Sequence, residues 1–599
     1  MQSLLAPSVL CALAPLAAGA PASPSSGAVW SGDIDLGGPV RVRYAPPVPE
    51  GEQPVVLEEV VIPEGEVKRF LIYGTYRPAL EWRRIQALIE DEIRLRSAAG
   101  SDVSHLTVSN EAFEAHYDKK IAEFIEKYPM LEVETEISRA YRSLDWYRRE
   151  LRQEMLFDAV FVPEDQAQWP DLTFEALRQE AGEILIDDFR KSFERRTTYL
   201  AEQRAEWQAK VDAGEEAGDE PVLQPEDSMY RSILRQIVRD NLYKVVDTQT
   251  ALTGLSEELI ATMDFDWDGE PELTVTTEQA WNDLAGIVSQ QDIDDARQFL
   301  ALIEATRQRL EYEGKLLSAE EVATELEAIT SKFQSGMFDL GQIAIGGHQF
   351  PSVEAYGEYF GLHESYRRSI DESTQVPLGA QLPDPLREHL HRANHVMGLA
   401  KVDAEVLLVS AFDFENYEWI EDGWNKARAK AERLMAEVRR NQEAYEKSQS
   451  GEAVEGEDAP LDPVTFWQLL IDDHCDFWDP PPPQHGRQST VGYKQKGRFG
   501  ERTRNDLRSL MSESAYHLFL RGALVTDRIF FDQPVGEVDG PRKGSFGYYV
   551  TKVLRRSAPS RPLNTNDRRH VDLLRDDYAR VSFVAYAHEA LADSALGGE

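Results

Sequence analysis

Pro534-Val535-Gly536-Glu537-Val538-Asp539-Gly540-Pro541 and Gly547-Tyr548-Tyr549-Val550-Thr551-Lys552-Val553 are the two stretches on which the fold turns. The first reads as entry into a strand and the second as the closing strand of a small sheet. Working back, Val402 to Ser410 (VDAEVLLVS) has the alternation and β-branching of a strand. Between these strands lie a long helical pattern from Trp424 to Gln449 and a shorter one from Thr465 to Cys475. Gly497-Arg498-Phe499-Gly500 reads as a turn, and a third helix is expected over Leu507 to Phe519. The C-terminal part is therefore an α+β domain. An acidic insertion (Ser450 to Pro460) and the run Pro480-Pro481-Pro482-Pro483 interrupt it.

Upstream the periodicity is helical. Patterns run from about Pro78 to Ala99, Ser109 to Tyr128, Glu134 to Phe157, Thr173 to Ala213, Ser228 to Lys244 and Asp292 to Leu317. A leader rich in Pro, Gly and Ser precedes them, with a β-like stretch at Val55 to Pro63. Ala213 to Glu226 is acidic with Gly and Pro and reads as a linker. The fold class expected is a mostly α N-terminal region plus an α+β C-terminal domain. The expected divisions are 1–22, 23–165, 166–289, 290–400, 401–565 and a helical tail over 566–599.

A faint repeat runs through the helical part. Ala87-Leu88-Ile89-Glu90 recurs as Ala301-Leu302-Ile303-Glu304, each followed by a glycine, Gly100 and Gly314, at a helix end. A new helix then opens at Ser109 and at Ser318, both expected N-caps. Their apolar faces are Phe113, Tyr117, Ile121, Phe124 and Tyr128 in one copy, and Val322, Leu326, Ile329 and Phe333 in the other. Both copies later carry Tyr-Arg-Arg, at Tyr147-Arg148-Arg149 and Tyr366-Arg367-Arg368.

Composition bounds the function. With 64 Lys and Arg against 106 Asp and Glu, the net charge of −42 repels phosphate backbones and anionic lipid. No nucleic acid partner is expected. Two cysteines, Cys11 and Cys475, build neither a disulfide framework nor a zinc site. Leu4 to Ala20 followed by Ala20-Pro21-Ala22 reads as a signal segment and its A-x-A cleavage site, although no Lys or Arg precedes it. No later stretch is apolar enough to span a bilayer.

Asp264-Phe265-Asp266-Trp267-Asp268-Gly269 matches the start of a calcium loop, but Val275 stands where a bidentate Glu is needed, so it reads as an acidic turn. Asp472-Asp473-His474-Cys475 reads as a solvated helix end, and His348 and His363 as isolated residues. The aromatic stripe Tyr356, Tyr359, Phe360 and Tyr366 reads as core. No metal and no cofactor are expected.

Gln86 to Ile93, Thr107 to Phe113 and Leu144 to Arg152 resemble the N-terminal chaperone region of SurA-, PpiD- and PrsA-type folding factors. The resemblance covers roughly 55 to 165 and, more loosely, 290 to 400. In those families the helical region joins a parvulin-type prolyl isomerase domain, and PVGEVDGP and GYYVTKV are similar to that domain's closing strands. The resemblance implies an exported folding factor acting on unfolded or proline-containing polypeptide. It also implies a prolyl-ring pocket at Met511, Tyr516, Phe519 and Phe531, with Met511, Tyr516 and Phe519 on one helix. The family's two site histidines fall on Val406 and Tyr549. Isomerisation faces a barrier of roughly 18–20 kcal/mol. Without the imidazoles, binding is expected to outlast catalysis. The rival expectation is a non-enzymatic envelope scaffold. A filled pocket around Met511 favours that scaffold, and an open one favours peptide handling.

Overall fold

The computed structural model describes residues 35–47, 57–104, 106–127, 144–162, 182–214, 259–263, 273–284, 288–332, 340–376, 381–414, 418–420, 422–450, 460–477 and 496–597. The signal segment, the 264–269 turn, the 228–244 helix, most of the 213–226 linker, the insertion at 451–459 and the 480–483 run lie outside the described residues.

The described residues fall into two compact units, one within 76–285 and a larger one of 35–75 together with 288–597. The larger unit begins with β1 (Val40–Tyr44), β2 (Val60–Ile62) and α1 (Glu64–Tyr73). The helical unit holds α2 (Arg77–Ala98), α3 (Asn110–Lys127), α4 (Leu144–Phe161) and α5 (Gly182–Asp212). It ends in the hairpin β3 (Leu259–Met263) and β4 (Leu273–Thr276), then α6 (Thr277–Asp283). The larger unit resumes with α7 (Gln290–Tyr312), α8 (Ala319–Lys332), α9 (Val353–Ser369) and α10 (Asp384–Met397). Its α+β part runs β5 (Val402–Ser410), β6 (Phe412–Asp413), β7 (Glu418–Trp419), α11 (Gly423–Ser450), α12 (Pro463–His474) and β8 (Arg498–Arg502). It closes with α13 (Arg504–Leu510), α14 (Ala515–Arg521), β9 (Val538–Lys543), β10 (Gly547–Arg556), α15 (Arg568–Ala592) and β11 (Ser594–Gly597). The fold class is thus a mostly α region with an α+β plan at the C-terminal end.

In the helical unit the stripe of α3 is covered. Phe113 is buried, with the Arg148 and Arg152 guanidiniums 5.0 and 4.4 Å from its ring centre. Arg149 sits 4.5 and 5.0 Å from the rings of Trp82 and Trp146, and Arg83 holds Asp283 through two bonds of 2.6 and 2.7 Å. The second copy uses the same device: Arg368 on α9 bonds Glu321 and Glu325 of α8, at 3.3 and 2.7 Å, while Arg148 on α4 bonds Glu114 of α3. Both helix ends close as Schellman turns. Ser101 N–H donates to Arg96 O and Lys315 N–H to Leu310 O, with Gly100 at φ 80° and Gly314 at φ 67°. Ser109 and Ser318 cap the helices that follow.

In the larger unit, β1 pairs with both β2 and β11. Gln308 of α7 accepts from Tyr44 N–H at 2.7 Å and donates to Val42 O at 3.2 Å. The aromatic stripe is core, as expected: Tyr356, Tyr359 and Phe360 pack with Phe299 of α7, Phe519 of α14 and Phe583 of α15. The expected boundaries at 400 and 565 therefore fall inside one compact unit, because helices from both sides share that core. The main sheet has the order β8-β5-β10-β9, every pair antiparallel. β5 occupies the range expected for it, and α11 and α12 run one residue beyond Trp424–Gln449 at each end and over 463–474. Two expectations are corrected. Residues 498–502 are a strand paired with β5, where a turn was expected. The helix expected over 507–519 is two helices, broken at 511–514, with Ser512 at φ 51°. Ser514 caps the second helix by accepting from His517 N–H at 3.2 Å.

A buried hydrogen bond pins α10 to α15. His389 Nε2 lies 2.7 Å from Asp577 Oδ2, and Arg580 also bonds Asp577. Burial opposes ionisation of Asp577, but the His389 bond and the Arg580 charge outweigh it and hold the carboxyl well below the usual range. That stability is present above the unfolded carboxylate value of about 3.9 and is lost as pH falls through the depressed folded value. Asp577→Asn should cost about 3 kcal/mol at neutral pH. In urea unfolding followed by circular dichroism, the gap from wild type should shrink as the pH is lowered below the ordinary carboxylate range.

Candidate functional site

The residues at the family-histidine positions lie on one face of the sheet. The register pairs Val406 with Thr551 and Leu408 with Tyr549. Cross-strand partners share a face and alternate residues repeat it, so Val406 and Tyr549 are diagonal neighbours. The opposite face carries Glu405, which accepts from Trp467 Nε1 of α12 at 2.8 Å. On the Val406 face, the Cys475 thiol lies 3.5 Å from Val406 O. Phe477 packs 6.0 Å from the Tyr549 ring and 5.0 Å from Phe499. Thr551 Oγ1 is bonded to Gln533 at 2.7 Å, and Gln533 Nε2 donates to Thr551 O and Glu537 O.

The break after α13 decides the chemistry. Leaving Met511, the chain turns Glu513 inward, where its carboxylate accepts from Val525 and Thr526 N–H at 2.9 and 3.0 Å. Thr526 in turn donates to the Met511 sulfur at 3.6 Å. Met511 is fully buried in the core of the α+β part, and Phe531 packs on the same core with the Arg392 guanidinium 4.0 Å from its ring. Tyr516 and Phe519 are elsewhere. Their rings meet Phe299 tilted and edge-on, at 5.6 and 5.7 Å, in the core shared with α9 and α15. Of the four expected pocket residues, the structure brings together Met511 and Phe531 only. The common helical face expected for Met511 and Phe519 does not exist, because the turn at 512–514 starts a new helix in a new direction. Sequence reading missed Glu513, Cys475, Thr526 and Gln533. An acid inside an otherwise apolar stretch was the one available signal.

Val406, Met511 and Tyr549 are each 0 % exposed, so the face is packed and not open. Burial opposes ionisation of its acidic groups. Burial raises the Glu513 carboxyl, although the two N–H bonds oppose this. Burial raises the Cys475 thiol and, with the Glu513 charge, the Tyr549 phenol. The Tyr549 hydroxyl meets no partner in hydrogen-bond geometry, although the Phe546 backbone lies near enough to favour its anion slightly. His517 is buried, bonded to Ser514 at 2.9 Å, and pushed well below the usual imidazole range by burial and by Arg521 and Arg508. A cavity of about 210 Å³ in the larger unit lies instead among charged groups, Arg367, Asp371, Arg575 and Asp576. Such a lining is unsuited to a prolyl ring.

No family model matches the chain, and no curated protein matches it. Two solved structures are similar in part. A peptidylprolyl isomerase (PrsA) from Bacillus cereus is 13% identical over 53% of this chain and 86% of its own, with a TM-score of 0.18. PrsA from Bacillus subtilis is 12% identical over 53% and 87%, with a TM-score of 0.14. Superposition this poor bears no argument about the chain's shape or activity.

A packed face makes a chemical prediction. In the native protein Cys475 should resist alkylation that proceeds at once in urea, as peptide mapping would show. Tyr549→Phe should change stability by about 1 kcal/mol or less, or raise it, because the hydroxyl it removes is unpartnered. Fast native labelling would show that the face opens.

Proposed function

We propose that this chain is an exported folding factor that binds unfolded polypeptide, and that its isomerase-type domain turns over Xaa-Pro bonds slowly or not at all. Three observations support the binding half: the helical motifs at 86–93, 107–113 and 144–152, the strands that PVGEVDGP and GYYVTKV contribute to one sheet, and a net charge of −42. That charge keeps a chaperone–client complex dispersed. Export rests on the apolar N-terminal run and the Ala20-Pro21-Ala22 site, which would leave a terminus near Ser23. Among the described residues no helix is long and apolar enough to cross a membrane.

The observation that carries the catalytic half is the burial of Val406, Met511 and Tyr549. Val406 has no hydrogen bond to give a twisted amide. Loss of one such group costs a site on the order of 1–3 kcal/mol, or about ten- to a hundredfold in rate. The ring must in addition enter a face that is already filled. Clients would then be held elsewhere, by apolar side chains exposed on the helices such as Leu95 and Ile125, at roughly 25 cal/mol per Å² buried. The same filled face favours a second reading, a non-enzymatic scaffold whose α+β domain docks a partner.

Two assays on the full chain separate these readings. At a few-fold molar excess it should suppress light scattering by a chemically denatured test protein, and a folded chain that gives no suppression supports the scaffold. In a protease-coupled assay on Xaa-Pro peptides it should run about ten- to a hundredfold or more below a histidine-bearing parvulin. Val406→His should lower stability without restoring the rate, because it places an imidazole in a packed core. Wild-type turnover equal to the histidine-bearing enzyme would defeat the closed-face reading.

A further inference from the structure

On α10, His389 turns inward to Asp577, whereas His391 and His395 lie one turn apart on the outer side. Their ring centres are 4.2 Å apart, at an interplanar angle of 60°. Two imidazole nitrogens at about 2.0–2.1 Å from one tetrahedral ion stand roughly 3.3 Å apart, and side chains four residues apart share one face of a helix, where they can converge on such an ion. His395 Nδ1 lies 2.8 Å from the His391 carbonyl oxygen. A carbonyl only accepts, so Nδ1 carries the proton and the lone pair is left on Nε2. Metal-ligating histidines are oriented in this way, with the second nitrogen donating to a backbone carbonyl.

The platform is rigid and electrostatically suited. α10 is pinned to α15 by the His389–Asp577 bond, and Asn394 Oδ1 accepts from Leu563 N–H at 2.7 Å. His395 stands in the last turn of α10, where the helix dipole favours a cation. Arg387, one turn before His391, is already neutralised by Asp384. Among the described residues no group of three or more His, Cys, Asp and Glu side chains is arranged to hold a metal.

We propose that His391 and His395 form a two-imidazole chelate for a first-row divalent ion of the Ni²⁺ or Zn²⁺ kind on the outer face of α10. The site is independent of the sheet face and of polypeptide binding. Borderline ions that prefer nitrogen distinguish it from the carboxylate-rich surface, which suits Mg²⁺ and Ca²⁺.

Isothermal titration of the full chain with Ni²⁺, after removal of any affinity tag, tests the proposal. Wild type should show one site tighter than the carboxylate background. His391→Ala and His395→Ala should each weaken it about tenfold or more, and His474→Ala should leave it unchanged. Melting in EDTA should show all three variants folded like wild type. Ni²⁺ should then raise the wild-type midpoint and not that of the first two variants. The proposal is overturned if wild type shows no such site, if the isotherms of wild type and both variants coincide, or if only one of the two imidazoles matters.

Discussion

Strand β5 must be buried on both faces, and most of the larger unit follows from that. From Ala404 through Ser410 every residue is buried. A strand with β8 on one side and β10 on the other has no open edge, and its apolar side chains reach in both directions. The approach of its neighbours is close enough to exclude side chains. A Cβ at Gly497 would lie 1.9 Å from Val406 O, and one at Gly547 would lie 2.1 Å from Val409 O. Glycine at these two positions lets the ladder close, and the ladder fixes where Val406 and Tyr549 stand. Two layers are then required. α11 and α12 cover the Glu405 face, while Met511 and residues 525–532 contribute to the core on the other.

Those elements that local pattern determines were legible in the sequence. β5 spans Val402 to Ser410 as its alternation and branching predict, and the Schellman glycines and serine caps stand where turn chemistry requires them. The break at 511–514 was not legible. Leu507, Met511, Tyr516 and Phe519 give an apolar spacing that a single helix satisfies, and the sequence alone cannot tell one helix in one core from two helices in two. The deciding interaction is non-local. Glu513 caps the backbone at 525–526, and only tertiary structure shows that these amides need an acceptor. The core shared across residue 400 was not legible for a related reason. Phe299, Phe519 and Phe583 come from segments far apart in the chain, and periodicity reports that each is buried without reporting what buries it.

Buried charge in the larger unit is paired. Carboxylates such as Glu304, Glu364, Asp527 and Asp577 are buried there beside guanidiniums. Arg504 is buried and bonds Asp527 at 2.6 Å, and Arg392 reaches the same carboxylate at 3.0 Å. Arg508 lies among Arg504 and Arg580. Burial and these like charges pull it down to about 10, and its Nε has no partner. Arginine suits this role because its planar fork satisfies several acceptors at little desolvation cost. These pairs contribute less net stability than specificity of packing. Removing one partner leaves a buried charge, while the intact pair roughly breaks even.

Valine at 406 and the closure of this face are physically linked. An imidazole needs hydrogen-bond partners on both nitrogens, and a face that keeps such groups solvated stays open. With valine at 406 the face presents no such requirement, and apolar surface left facing water costs about 25 cal/mol per Å². Met511 fills that space, and the Tyr549 hydroxyl is left unpartnered inside the core. A stranded hydroxyl costs about 1–3 kcal/mol, less than leaving several large side chains exposed, so packing wins.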